Sequence, residues 1–197
     1  MSSAEVPEQP VIRGRAWVVG DDISTDLLDP GAYAIAPLPE RIRHTLEPVH
    51  PRFATEVRPG DILIAGANFG CGSSRETAAE ALRALGVGCV VAESFARIFL
   101  RNALALGLPV LVCPGITEAV GEGDPVEADP AAGRVTNLRT GTALQASPLP
   151  PLMRELLAAG GVLPMLRQLA SRAPEGRGWV DDPRAPEGRN LRDDLGP

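Results

Sequence analysis

The sequence is poor in the residues that build metal sites and covalent bridges. It has three cysteines, Cys71, Cys89 and Cys113, at wide and unequal spacing with no Cys-x-x-Cys pair, and only two histidines, His44 and His50. No familiar local spacing for a zinc site, an iron–sulfur cluster or a disulfide framework is present, so no metal is expected on this chain, and the unpaired thiols suit a reducing compartment. Basic residues are outnumbered, with 19 Lys+Arg against 25 Asp+Glu for a formal net charge of −6. Without a basic stretch there is no electrostatic footprint for nucleic acid. Long apolar runs are missing too. The first ten residues are polar and acidic, unlike a signal peptide, and nothing downstream could span a bilayer. These absences lead to the expectation of a cytoplasmic protein with neither nucleic acid nor membrane as partner.

What is present is an ordinary globular composition, 44% hydrophobic and 22% charged over 197 residues, enough for one domain with its own core. Residues 11–19 are apolar and β-branched and run into Gly20-Asp21-Asp22, which predicts a strand and turn. Six prolines between residues 22 and 60 predict a functional, mobile loop with short helical turns. From residue 61 the chain alternates: an apolar run at 62–65, a Gly-rich loop at 66–74, an Ala-rich helix at 75–85, an apolar run at 89–92, a helix over about 95–106 and an apolar run at 110–113. That alternation predicts an α/β fold with buried parallel strands and helical crossovers. Three short strands with turn signals follow to residue 146, then two helices divided at Gly160-Gly161. Residues 173–197 repeat Ala-Pro-Glu-Gly-Arg and are too poor in apolar surface to repay their ordering, so the domain is expected to end at 172 with a disordered tail beyond.

The segment with chemical content is Gly70-Cys71-Gly72-Ser73-Ser74-Arg75-Glu76. A Gly-rich turn between a buried strand and a helix gathers backbone N–H groups and the positive end of the helix dipole, and an arginine beside it can grip a carboxylate with two parallel hydrogen bonds. Ser73-x-x-Glu76 also spells a capping box, a purely structural reading. A Walker-type phosphate loop is disfavoured by the absence of Gly-Lys-Ser/Thr. Cys71 as a nucleophile on a strand-to-helix elbow needs a histidine base, and both histidines lie in the Pro-rich region.

The order and spacing of several segments closely resemble the small subunits of 3-isopropylmalate dehydratases, in the aconitase superfamily. They are residues 68–76, Ala92-Glu93-Ser94-Phe95-Ala96-Arg97-Ile98-Phe99 with Arg101-Asn102, Gly107-Leu108-Pro109, the opening Gly20-Asp21-Asp22-Ile23-Ser24-Thr25-Asp26, Arg58-Pro59-Gly60-Asp61 and Asn137-Leu138-Arg139-Thr140-Gly141. The resemblance implies a swivelling β/β/α-type domain with a mixed sheet or barrel, acting with a large subunit that carries a [4Fe-4S] cluster and binds a small dicarboxylate substrate. It implies Ser73 as the base and Arg75 as carboxylate clamp with Ser74 as a second donor, with Gly70, Gly72 and Asp26 as structural supports. Arg97 and Arg101, one helical turn apart, are candidates for the site or the subunit interface, with a solvated face as the alternative. Arg58 to Asp61 would form the approach to the site.

The implied activity is the interconversion of 2- and 3-isopropylmalate through isopropylmaleate in leucine synthesis, with a methyl-substituted malate or a non-catalytic scaffold role as alternatives. Where the family has a Tyr-Leu-Arg-like stretch, this sequence has Tyr33-Ala34-Ile35. An aliphatic Ile35 cannot pair with a carboxylate and favours an apolar substituent, leaving Arg41 or Arg43 as possible replacements for the missing cation.

Overall fold

The computed structural model describes residues 10–73 and 75–172. Ser74 and residues 173–197, the tail expected to be disordered, lie outside the described residues. Seven strands form one mixed sheet in the order β4-β3-β2-β1-β5-β6-β7: β1 Ile12–Val18, β2 Ile62–Ala65, β3 Cys89–Ala92, β4 Val110–Val112, β5 Pro125–Asp129, β6 Arg134–Asn137 and β7 Ala143–Gln145. The four strands β1 to β4 pair in parallel and β5 to β7 are antiparallel. The seam between the two halves is β1 itself. Its end Ala16–Val18 pairs with Ile62–Ile64 in parallel, and its start, Ile12 to Arg15, pairs antiparallel with Ala128 to Pro125.

The helices are α1 Thr25–Leu28, α2 Leu38–Arg41, α3 Phe53–Glu56, α4 Glu76–Ala84, α5 Arg97–Ala105, α6 Ile116–Ala119, α7 Pro151–Ala158 and α8 Val162–Arg172. Alternate residues of the parallel strands enter two cores, as the period of a strand buried on both faces requires. Leu63, Ala65, Val90, Ala92 and Val110 join Leu82, Phe99 and Leu104 on one side. Ile62, Ile64, Cys89, Val91 and Leu111 join Ile116, Val126 and Val135 on the other. Burial pushes the Cys89 thiol far above its ordinary range and, with Glu93 nearby, the Cys113 thiol up to about 11, so both act as small apolar fillers. The chain divides into a unit ending at Met165 and a second beginning at Leu166; within the second, the last turns of α8 include a hydrogen bond from Ser171 Oγ to the Gln168 carbonyl.

The Pro-rich region, expected to be mobile, is instead pinned down. It consists of α1, α2, α3 and two 3-10 turns, Gly31–Tyr33 and Ile42–His44, and it buries Leu28, Leu46 and Phe53 completely. Prolines bar a long helix but not apolar anchors, and three such side chains suffice to hold a chain of short turns on a sheet.

Candidate functional site

The parallel strands β1, β2 and β3 end together, and the loops leaving their carboxyl ends are laced to one another. Asp21 Oδ1 accepts the Ala67 amide at 2.7 Å, and Asp22 Oδ1 accepts Asn68 Nδ2 at 2.8 Å. Asp22 and Asn68 both sit at positive φ, 53° and 59°, a conformation that Asp and Asn tolerate better than other side chains. On the other flank, Ser94 accepts the Asn68 amide at its Oγ and the Phe69 amide at its carbonyl. Further along, Gly70 N–H donates to the Ile23 carbonyl at 2.7 Å and Thr25 N–H to the Cys71 carbonyl at 2.8 Å. The Gly-rich loop thus extends the parallel sheet by single bridges on both sides, Ser24 to Cys71 and Phe69 to Phe95. At Gly70, φ is +78°, and a Cβ there would overlap the Cβ and Cγ of Phe99, which is itself fixed edge-on against Phe69. Glycine is required at this position twice over.

Ser73 and Arg75 emerge from that braced loop. The Ser73 carbonyl accepts a hydrogen bond from Thr25 Oγ1 at 3.1 Å, while the residue itself is exposed. The capping box does not form. Arg75, extended at φ −121°, ψ 112°, occupies the cap position just before α4, and among the described residues no side chain caps that helix end. The half-buried Arg75 guanidinium is oriented by α1. Its Nη2 pairs with Asp26 Oδ1 at 2.7 Å, and its Nη1 donates to the Asp29 carbonyl at 3.3 Å. Among the described residues its Nε–H and one N–H on each Nη have no partner, which is what bidentate capture of an incoming carboxylate needs.

The remaining expectations fall out unevenly. Gly72 is exposed at φ +92°, where an added Cβ would meet only ordinary contacts, Thr25 Oγ1 at 3.5 Å the nearest, so its backbone conformation and not its packing calls for glycine. Asp26 lies in the first turn of α1 against Arg75. Ile35 follows the first 3-10 turn and is 100% exposed. Arg97 and Arg101 are exposed on α5, and among the described residues neither hydrogen-bonds to Ser73 or Arg75. Cys71 is half-buried, its Sγ 3.6 Å from the Asp22 carbonyl. No imidazole serves it: His44 stacks on Tyr33 between Glu40 and Glu47, and His50 faces Trp17 and Glu122.

Two expectations require correction. Arg58 to Asp61 precede β2 and so lie at the opposite end of the sheet from the Gly-rich loop. Asp61 is a buried staple there, accepting Trp17 Nε1 at 2.9 Å and the Arg58 amide at 3.0 Å. Arg41 cannot stand in for a loop cation, because it is 7% exposed and committed to Asp29, Glu80 and the Thr77 carbonyl; Arg43 is exposed and paired with Glu40. Sequence reasoning missed Asp29 and Thr25 as parts of the site, since both act through groups some 46 to 48 positions away that no local pattern records.

Glu93, at the end of β3, accepts the Gly115 amide at 2.7 Å and the Thr117 amide and hydroxyl. Partial burial opposes its ionisation, but these donors outweigh it and hold the carboxyl below its ordinary range. Among the described residues, no group of three or more His, Cys, Asp and Glu could hold a metal ion. With Cys71 in the loop and Cys89 and Cys113 buried in the core, the donor set does not fit an iron–sulfur cluster. No helix among the described residues is long and apolar enough to cross a membrane.

A braced Gly-rich loop at the carboxyl ends of parallel strands, with a serine and an oriented arginine, presents the kind of donors that suit a small anion. A family model described as the aconitase C-terminal domain matches residues 44–114. The 3-isopropylmalate dehydratase small subunit 1 of Methanopyrus kandleri is 52% identical over 167 residues, 84% of this chain and 98% of that protein. The isopropylmalate/citramalate isomerase small subunit of Methanocaldococcus jannaschii is 45% identical over 80% of this chain and 95% of that protein. A crystal structure of 3-isopropylmalate dehydratase from Methanocaldococcus jannaschii superposes with a TM-score of 0.77 at 36% identity, covering 82% of this chain and 96% of that one. The chain belongs to the family of 3-isopropylmalate dehydratase small subunits, within the aconitase superfamily.

Proposed function

We propose that this chain is the small subunit of a heteromeric hydro-lyase that interconverts 2- and 3-isopropylmalate through isopropylmaleate, a step of leucine biosynthesis, and that Ser73 and Arg75 are its contributions to the active site. The single observation that carries the site assignment is the posture of Arg75, held by Asp26 and the Asp29 carbonyl with donors to spare, beside a serine whose backbone is pinned by Thr25. Arg75 holds a substrate carboxylate, with Ser74 as a second donor. Ser73 removes the proton from carbon. A serine hydroxyl is a very weak acid, so its alkoxide depends on surrounding N–H donors and on the Arg75 cation. Gly70, Gly72 and Asp26 keep that geometry, and Arg97 faces the substrate or the partner.

The partner is a large subunit bearing a [4Fe-4S] cluster, which supplies Lewis-acid chemistry at the substrate hydroxyl. The reading places the protein in the cytoplasm and makes the chain inactive alone. Residues up to 172 are assigned to the swivelling domain. The relative described as acting on citramalate as well keeps a second substrate class in view, because Ile35 selects against a charged substituent without choosing between methyl and isopropyl.

The test is a steady-state assay of this chain mixed anaerobically with its large subunit, following alkene absorbance with 2-isopropylmalate, citramalate and dimethylmalate. Turnover of isopropylmalate is expected, and Ser73→Ala should lower kcat by roughly 10²- to 10⁴-fold, the usual weight of a positioned base. Near-normal turnover by that variant would falsify the role of Ser73.

A further inference from the structure

We propose that Arg41 is a positioning residue for Arg75, acting through Asp29. The inference rests on the reading of Arg75 as the carboxylate clamp and adds a residue that never meets the substrate. Asp29 closes α1 and is completely buried. Its two ends do different work: the main-chain carbonyl receives Arg75 Nη1 at 3.3 Å, and the carboxylate receives Arg41 Nε at 3.4 Å.

The other oxygen of that carboxylate, Oδ2, is buried without a hydrogen-bond partner among the described residues. Among the described residues Arg41 is the only cation paired with this fully buried carboxylate, and a carboxylate left unpaired at such a depth would have to move toward water. That movement shifts the Asp29 main chain and with it the carbonyl that aims Arg75.

Arg41 also reaches the helix that Arg75 begins. Its Nη2 donates to the Thr77 carbonyl at 3.1 Å and pairs with Glu80 at 3.2 Å, both on α4. One buried guanidinium at the end of α2 thus ties the end of α1, which orients the clamp, to the helix on which the clamp is mounted. A planar fork with several fixed N–H directions can serve three acceptors at once, which a lysine ammonium at that depth cannot do in the same geometry. Charge accounts for the arrangement as well: Asp29 and Glu80 pair with Arg41 while Asp26 pairs with Arg75, so removing Arg41 strips two carboxylates around the clamp of the cation that compensates them.

The test is a double-mutant cycle in the complex with the large subunit, comparing wild type, Arg41→Met, Arg75→Lys and the pair with 2-isopropylmalate as substrate. Arg41→Met should raise KM by roughly tenfold, a coupling typical of residues in one ionic network. On the Arg75→Lys background the same change should have an effect of less than about threefold, because the clamp it positions is already gone. Equal losses on the two backgrounds, or a loss confined to kcat, overturn the proposal.

Should Arg41→Met fail to fold, Asp29→Asn preserves volume and leaves Arg41 its Glu80 and Thr77 contacts, and the same non-additivity is expected of it. A wild-type complex without turnover would sink the functional reading but not this one, which is then decided by the guanidinium ¹⁵N spectrum of the full-length chain. Arg75 signals, assigned by their loss in Arg75→Lys, should show restricted rotation in wild type and average in the Arg41 or Asp29 variant. Signals unchanged by the variant overturn the proposal.

Discussion

Replacing Gly70 by alanine separates two physical costs that the site loop imposes together. The residue holds φ +78°, and a non-glycine residue in the left-handed region costs about 1–2 kcal/mol. The added methyl would also overlap Phe99 Cβ and Cγ and sit 2.7 Å from its Cδ2. Phe99 cannot swing away, since it packs edge-on against Phe69 at 5.0 Å and stacks with Phe95 at 6.1 Å. Overpacking of a filled core adds about 1–3 kcal/mol. The sum, roughly 2–5 kcal/mol, corresponds to a fall in Tm of about 5–20 °C for a domain of this size. Gly72 supplies the control. Its φ is +92°, but the nearest atom to an added methyl is Thr25 Oγ1 at 3.5 Å, an ordinary contact. Gly72→Ala should therefore lose only the backbone cost, about 1–2 kcal/mol. Thermal unfolding of the full-length chain, followed by circular dichroism, measures both. If Gly72→Ala is as destabilising as Gly70→Ala, the clash with Phe99 carries no weight and the account of the loop is wrong.

Asp61→Asn should cost about 2–3 kcal/mol in urea denaturation, because an amide nitrogen would face the Trp17 Nε1, Arg58 or Arg15 donors that the carboxylate now accepts; a change under about 1 kcal/mol would contradict the staple role. The same substitution should leave kcat in the assembled complex almost unaltered, since Asp61 lies at the far end of β2 from Ser73. For Glu93, the folded carboxyl lies below its ordinary value of 4.5, so the folded state holds fewer protons than the unfolded chain. Its contribution to stability is complete above that ordinary value and disappears as the pH falls through the lowered one. Denaturation midpoints measured downward from about pH 6 should consequently decline more steeply in wild type than in Glu93→Gln. Parallel profiles would mean that the amides of Gly115 and Thr117 do not hold the carboxylate as described.

The legible parts of the fold were those in which local chemistry and tertiary surroundings agree. β2 and β3 run over Ile62–Ala65 and Cys89–Ala92, the limits of the apolar runs themselves, since strands buried on both faces are apolar throughout and these two are bracketed by Asp61 and Gly66 and by Gly88 and Glu93. The double role of β1, parallel over one half and antiparallel over the other, left no trace in composition, because pairing partners are chosen by the rest of the sheet. The burial of Arg41 left no trace for a related reason. A lone arginine in a Pro-rich segment looks like a solvent-facing cation until a buried Asp29, twelve positions earlier, and a helix thirty-six positions later converge on it.

Ser73 is the instructive case. Its sequence context allowed two incompatible employments of one hydroxyl, as helix cap or as free reactive group, and Ser73-x-x-Glu76 by itself could not choose between them. The choice is made by Thr25, whose hydroxyl grips the Ser73 carbonyl, and by Arg75, whose extended backbone takes over the cap position. With helix α4 starting after Arg75, a capping box between Ser73 and Glu76 has no geometry in which to close. The serine side chain is left exposed at the end of the sheet, two residues before an arginine whose orientation is fixed from the other loop.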